Sequence, residues 1–197
     1  PRRPWRYSAP VPEPSSFLVA TWNVNSLRMR QERLLLWLAE RRPDLVCLQE
    51  LKMEDSLFPA LEFQAAGYRA VWHGQKTYNG VAILSRIEHG VPEDVAKGFG
   101  DGEPEPEARL IAATLPGLGV RVASAYIPNG QTLESDKYRF KLDFLRRLRR
   151  YLEAAPGGPP LLLCGDYNVA PDDRDVFDPP GWRDTVICHE EARAGFQ

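Results

Sequence analysis

The sequence predicts an α/β fold in which sheets of mixed strands are covered by helices. Three observations carry this. Apolar runs of strand length outnumber the segments with helical spacing. Several of these runs lie close enough together to pair as hairpins, which disfavours a strict β–α–β winding. Two long segments space their leucines along a single helix face.

Taken in order, Phe17 to Asn23 reads as a buried strand. Gln31 to Arg42 places Leu34, Leu35 and Leu38 at helical spacing with Arg and Glu opposite, and Pro43 stops it. Leu45 to Gln49 is the second strand. Ser56 to Ala66 predicts a short helix, capped by Asp55 or Ser56 and closed by Gly67. Tyr68–His73, Val81–Ser85, Leu110–Leu115 and Val120–Tyr126 are four further strands. Gly98 to Glu107 is polar and predicts a surface loop. Glu134 to Ala154 is the longest helix, with Tyr138, Leu142, Leu145, Leu148 and Leu152 as its apolar stripe. Its Arg146, Arg147, Arg149 and Arg150 are read as a solvated outer face. Pro156 to Pro160 breaks the chain before the apolar run that begins at Leu161.

The 197 residues favour one domain with a sizeable core. Residues 17–197 are read as that domain, with an end that looks cut rather than finished. Residues 1–16, with Pro1, Pro4, Pro10, Pro12 and Pro14, predict an extended or disordered leader. A hydrophobic fraction of 43% and a charged fraction of 26% are ordinary for a globular protein. The net charge of -2 announces no polyanion partner in bulk, although a local basic rim would suffice for one. Cys47, Cys164 and Cys188 are odd in number and widely spaced, which argues against a disulfide framework. Cys47 and Cys164 sit in apolar runs and read as buried small hydrophobes in a reducing, cytoplasmic compartment. No apolar run is long enough to span a membrane, so no membrane partner is expected.

The chemistry gathers at strand ends. The run from Leu161 ends in Gly165-Asp166-Tyr167-Asn168, and the run from Leu45 ends in Gln49-Glu50. On extended backbone, positions i and i+2 point the same way, so Asp166 and Asn168 are delivered together. Asn23 and Tyr126 close two more strands. Singly, such a residue is more often a turn or capping residue. Jointly they are hard oxygen ligands and hydrogen-bond formers without a His or Cys cluster. That set suits Mg²⁺, with its preference for carboxylate oxygen and retained water, and does not suit structural zinc.

Four blocks in order then resemble the exonuclease III family of abasic-site endonucleases, within the endonuclease/exonuclease/phosphatase superfamily. They are Thr21-Trp22-Asn23-Val24-Asn25-Ser26-Leu27-Arg28 with Leu48-Gln49-Glu50-Leu51-Lys52; His73-Gly74-Gln75-Lys76 with Tyr78 to Ser85; Tyr126-Ile127-Pro128-Asn129-Gly130; and Gly165 to Pro171. The resemblance runs from about Phe17 to Gln197. It implies a four-layer α/β sandwich, two packed mixed sheets flanked by helices. It also implies Mg-dependent phosphodiester hydrolysis, with Mn²⁺ as a substitute, acting on duplex DNA at abasic sites or 3′ ends as a monomer.

Roles follow residue by residue from the resemblance. Tyr126, Asp166 and Asn168 are the expected catalytic residues. Asp166 activates water, Asn168 donates to the phosphate, and the Tyr126 phenol lies near the scissile group. Asn23, Glu50, Asp166 and Asn168 form the expected metal set. Asn129 is expected to contact DNA. Arg28, Lys52, Lys76 and Arg174, in or beside these blocks, are candidates for holding phosphates, with ordinary surface charge as the alternative.

The family's closing Ser-Asp-His has no counterpart among His73, His89 and His189. The expectation is a chain truncated before the C-terminal catalytic motifs, with the last strands of the second sheet missing. Two other functions stay open at this stage: a phosphoesterase of the same fold acting on lipid or inositol phosphates, and a non-catalytic DNA-binding fragment.

Overall fold

The computed structural model describes residues 16–154 and 158–197. The predicted leader, apart from Ser16, lies outside the described residues, as do Pro156 and Gly157 of the predicted break.

Two four-stranded sheets form the centre. The first holds β1 (Val19–Asn23), β2 (Leu45–Gln49), β3 (Tyr68–His73) and β4 (Val81–Arg86), in the order β1-β2-β4-β3. The second holds β5 (Glu93–Lys97), β6 (Leu110–Leu115), β7 (Val120–Tyr126) and β8 (Leu161–Asp166), in the order β5-β6-β7-β8. The hairpin neighbours β3/β4 and β6/β7 are antiparallel. Each sheet also contains one parallel pair joined through a helix. α1 (Leu27–Arg41) links β1 to β2, and α3 (Asp136–Glu153) links β7 to β8. Local β–α–β units are therefore embedded in a meandering topology, as a mixed sheet allows.

The layers follow from alternation along the strands. In β2, Leu45 and Cys47 turn between the sheets and pack with Ile83, Ile111, Ala113, Val122 and Cys164. Val46 and Leu48 turn the other way, against Leu27, Leu34 and Leu38 of α1 and Phe63 of α2 (Ala60–Ala65). On the far side, Phe144, Leu145 and Leu148 of α3 cover Leu110, Ala112, Ala123 and Ala125 of the second sheet. The result is a helix–sheet–sheet–helix stack. Trp22 and Trp72 pack against the first helix-facing core, as side chains in partly buried strands should.

Three local expectations need correction, and one strand went unread. Helix α1 begins at Leu27 rather than Gln31, because the Ser26 and Leu27 amides donate to the Glu50 and Leu51 carbonyls, an external cap invisible to local periodicity. The helix expected over 56–66 divides into a 3₁₀ turn at Asp55–Leu57 and α2, because Pro59 drives Phe58 into extended backbone. Strand β5 has exposed, charged residues and no apolar alternation, and it forms as an edge strand held by β6. Arg147 of α3 is buried, not solvated. It forks onto Asp101 at 2.6 and 2.9 Å, reaches Glu105 at 3.2 Å and lies over the Phe99 ring.

Two short helices, α4 (Pro179–Trp182) and α5 (Glu190–Phe196), follow β8. No helix among the described residues is long and apolar enough to cross a membrane.

Candidate active site

The two parallel pairs face one another, and their carboxyl ends open on the same side. That is where ligands of open α/β sheets are generally received. Asn23 pairs in register with Gln49, the residue before Glu50, and Tyr126 pairs with Asp166. The ends of β1, β2, β7 and β8 thus bring Asn23, Glu50, Tyr126 and Asp166 to one place.

The contacts are direct. Asn23 Nδ2 donates to Glu50 Oε1 at 2.7 Å and to Asp166 Oδ2 at 2.8 Å. The Tyr126 hydroxyl donates to Glu50 Oε1 at 2.9 Å. Lys52 Nζ lies 2.9 Å from Glu50 Oε2 and donates to Asn25 Oδ1 at 2.5 Å. Burial pushes the Glu50 carboxyl up, but the hydrogen bonds from Asn23, Lys52 and Tyr126 and the Lys52 charge outweigh it, so Glu50 stays below its usual value. Burial pushes the Tyr126 phenol up to about 12, reinforced by its bond to the Glu50 carboxylate, so it remains a proton donor at neutral pH.

Backbone conformation shapes the mouth. Asn25, Glu50, Lys52 and Asn168 all have left-handed backbone, with φ of 43°, 56°, 53° and 48°. Such angles cost a non-glycine residue free energy that the surrounding structure must offset, and they gather at functional sites. Gly165 is required for close approach: a Cβ there would sit 2.1 Å from the Ala125 carbonyl oxygen and push β8 from β7.

Asn168 and Asn129 form a second group beside the first. The Asn168 amide N–H donates to Asp166 Oδ1 at 3.2 Å. Its side chain accepts from Asn129 Nδ2 at 3.3 Å and donates to the Ile127 carbonyl at 2.9 Å. These contacts describe how Asn23 and Asn168, two of the four residues expected to hold a metal, are turned in the metal-free site. Asn168 Oδ1 is turned to Asn129, and Asn23 presents a nitrogen donor, not an oxygen ligand, to the two carboxylates. Asn23 Oδ1 meanwhile accepts from the Asn25 amide at 3.0 Å.

Glu50 and Asp166 are the two carboxylates of that set, joined through Asn23. Among the described residues, no group of three or more His, Cys, Asp or Glu side chains could hold a metal. Two carboxylates at an open mouth fit a hard divalent cation that keeps water in its shell, and do not fit a protein-saturated zinc centre.

The basic candidates separate. Lys52 is inside the cluster. Arg28 and Lys76 are exposed, and among the described residues no hydrogen bond or ion pair ties either to the cluster. Arg174 pairs instead with Asp172 at 3.1 Å in an exposed 3₁₀ turn at Asp173–Asp175, so the structure does not bring it to the site. Arg109 pairs with Glu107, donates to the Tyr126 carbonyl at 3.1 Å and lies over the Tyr126 ring.

Two supporting residues escaped the sequence reading. Gln49 is buried under the cluster and donates to Thr21 Oγ1 and Ser124 Oγ, both at 3.2 Å, which ties the sheets together there. Lys141 of α3 is fully buried. Its signal was present in the sequence: it falls three residues after Tyr138 and four before Leu145, on the apolar stripe.

This geometry has close parallels. The chain is 34% identical over 161 residues to exodeoxyribonuclease III of Haemophilus influenzae, a match covering 79% of the chain and 59% of that protein. The chain therefore spans about three fifths of that relative's length. A solved AP endonuclease from Archaeoglobus fulgidus superposes with a TM-score of 0.85 at 42% identity, over 92% of the chain and 68% of that structure. A 3′ phosphatase from Neisseria, solved with a product DNA hairpin, gives a TM-score of 0.87 at 40% identity, over 92% of the chain and 69% of that structure. The sequence model of the endonuclease/exonuclease/phosphatase family matches residues 20–189, where all four strand ends lie. The chain belongs to the endonuclease/exonuclease/phosphatase family, in its exonuclease III group.

Proposed function

We propose that the chain carries the catalytic centre of a Mg²⁺-dependent DNA-repair nuclease that incises duplex DNA 5′ to abasic sites and degrades strands from 3′ ends. The observation that carries this reading is the Asn23 amide bridging Glu50 and Asp166 across the two sheets. It holds two carboxylates together at one opening with a phenol and an ammonium beside them. The names of the relatives support DNA as the substrate class.

Glu50 and Asp166 would hold Mg²⁺, with Mn²⁺ able to replace it. When bound, the ion supplies Lewis-acid polarisation of a phosphoryl oxygen and stabilises the leaving oxygen. The other roles belong to the chain. Asp166 accepts the proton of an attacking water or orients it. Asn168 Nδ2 has a second hydrogen beyond the one given to Ile127, free to meet charge building on the phosphate. The Tyr126 phenol, held protonated, lies beside the same group and would donate to it by turning its single hydrogen away from Glu50. Lys52, with Arg28 and Lys76 on the exposed rim, would meet the DNA backbone, so binding should weaken with salt. Asn129 extends that contact. A missing base lowers the cost of turning the lesion out of the helix, which favours abasic DNA over intact duplex.

A duplex with one synthetic abasic residue and a 5′ label tests this directly. Mg²⁺ should support a single cut 5′ to the lesion, EDTA should stop it, and added Mg²⁺ should restore it. Asp166→Asn should bind the duplex yet lose about 10³-fold in rate. A fully active D166N protein overturns the assignment.

A further inference from the structure

Lys141 is the most deeply buried charged side chain among the described residues, and none of the roles assigned above uses it. It is 0% exposed. Its ammonium donates to three backbone carbonyls: Asn129 at 3.1 Å, Asn168 at 2.6 Å and Val186 at 2.5 Å. An ammonium has three N–H donors and no acceptor, so this arrangement is saturated. The three acceptors come from three separate segments. Asn129 lies in the loop after β7, Asn168 in the loop after β8, and Val186 in the segment that leads to α5.

Packing confirms how closely the ammonium stem is enclosed. A Cβ on Gly130, whose φ is +104°, would meet Tyr138, Lys141 and Val186 side-chain atoms at 3.1–3.3 Å. The Ser135 hydroxyl, at the start of α3, donates to the Gly130 carbonyl at 2.7 Å. Burial lowers the Lys141 ammonium to about 8, against the raising influence of Cys188 and Asp166. A neutral amine would turn a lone pair toward a carbonyl oxygen, so the geometry calls for the charged form.

We infer that Lys141 is a positioning residue for the phosphodiester reaction: its three bonds fix the backbone under Asn129 and Asn168, so that the two amides meet each other and Asn168 meets Asp166. The reach is short. Asn168 carries both the carbonyl that Lys141 holds and the amide N–H that Asp166 Oδ1 accepts. Its side chain in turn takes the Asn129 amide. Without the ammonium, three carbonyls lose their donor, and the two loops lose the only side chain, among the described residues, that bonds both backbones at once.

This inference rests on the nuclease reading, and its test separates the two. Lys141→Met keeps length and burial but removes every donor. Leu148→Ala, one helix stripe away in the core under α3, serves as a destabilised control. On abasic duplex, K141M should lose about 10-fold to 100-fold in kcat per folded molecule with KM changed less than about 5-fold, the pattern of a misplaced group. Lys141→Arg, which keeps charge and donors, should recover most of that loss. A K141M protein with wild-type kcat, or an L148A protein with the same loss, overturns the inference.

Backbone hydrogen exchange gives a readout independent of turnover. Amides of residues 127, 129–131 and 167–170 should exchange faster in K141M and not in L148A. Unchanged protection in K141M overturns the positioning role even if the wild type proves inactive on DNA. If K141M does not fold, the wild-type Lys141 ammonium can be observed by NMR, where couplings across its hydrogen bonds to the three carbonyls are expected. A freely exchanging ammonium without them refutes the arrangement.

Discussion

Asn23 and Asp166 stand 143 positions apart and meet at 2.8 Å. The same Asn23 nitrogen reaches Glu50 at 2.7 Å, so both of its hydrogens are committed to carboxylates on different sheets. Two acids brought this close repel unless a donor or cation lies between them. Asn23 supplies that donor.

Asn23→Ala should therefore leave the fold intact and disorder the carboxylate pair. Its kcat should fall about 100-fold, the scale of a misplaced reacting group. Its unfolding free energy should shift by only about 1 kcal/mol, since the amide sits at a half-open mouth. Steady-state kinetics beside a denaturant titration checks both. A kcat within a few-fold of wild type would remove Asn23 from the machinery.

Lys52 lies against the carboxylate that would receive the metal. A fixed cation there competes with a mobile one. Lys52→Met should lower the Mg²⁺ concentration needed for half-maximal activity while weakening DNA binding. The slope of log K against log salt should become shallower by about one, as for one lost phosphate contact. Metal titration and salt-dependent binding measure these separately. An unchanged salt slope would confine Lys52 to an internal ion pair.

Arg147 has the character of a buried clamp. It holds the Gly98–Glu107 loop through Asp101 and Glu105, over the ring of Phe99. Arg147→Met should cost about 2–3 kcal/mol, because charged hydrogen bonds are lost and their acceptors are stranded. Arg147→Lys should recover only part, since an ammonium cannot fork onto Asp101. Chemical denaturation of the three proteins gives the comparison.

Asp44 supports a pH prediction. Its carboxylate accepts from the Leu18 amide at 2.7 Å and faces His89 at 2.9 Å and Arg86 at 3.6 Å. Burial raises the carboxyl, but the Leu18 and His89 bonds and the His89 and Arg86 charges outweigh it and hold it below the ordinary 3.8. A depressed folded value stabilises the protein above the unfolded value. That contribution is lost as pH falls through the lower folded value. Asp44→Asn should thus cost about 1 kcal/mol at neutral pH and flatten the fall of the melting temperature below about pH 4. Melting curves across pH 3–7 decide it. Parallel wild-type and D44N curves in the acid range would show that Asp44 adds no linkage.

Much of the site was legible because its signals are local. Apolar runs ending in Glu50, Asp166 and Tyr126 mark strand ends whatever the strands pair with. Neighbouring runs such as Tyr68–His73 and Val81–Ser85 meet as a hairpin for the same reason. Less legible were β5 and the start of α1. One is an edge strand stabilised by its partner, and the other a helix whose first amides are capped by Glu50 and Leu51.

The sequence by itself determined which chemical groups stand at strand ends, because the two-residue alternation of a strand and the stop at its end are properties of neighbouring residues. The tertiary structure alone decided which ends meet. It placed Asn23 between Glu50 and Asp166, turned Asn168 toward Asn129, left Arg174 on Asp172, and buried Lys141 and Arg147 on a helix whose exposed face the arginines had suggested. The physical reason is range. Periodicity tells a side chain which way to face, but sheet order and layer packing across many intervening residues determine what it finds there.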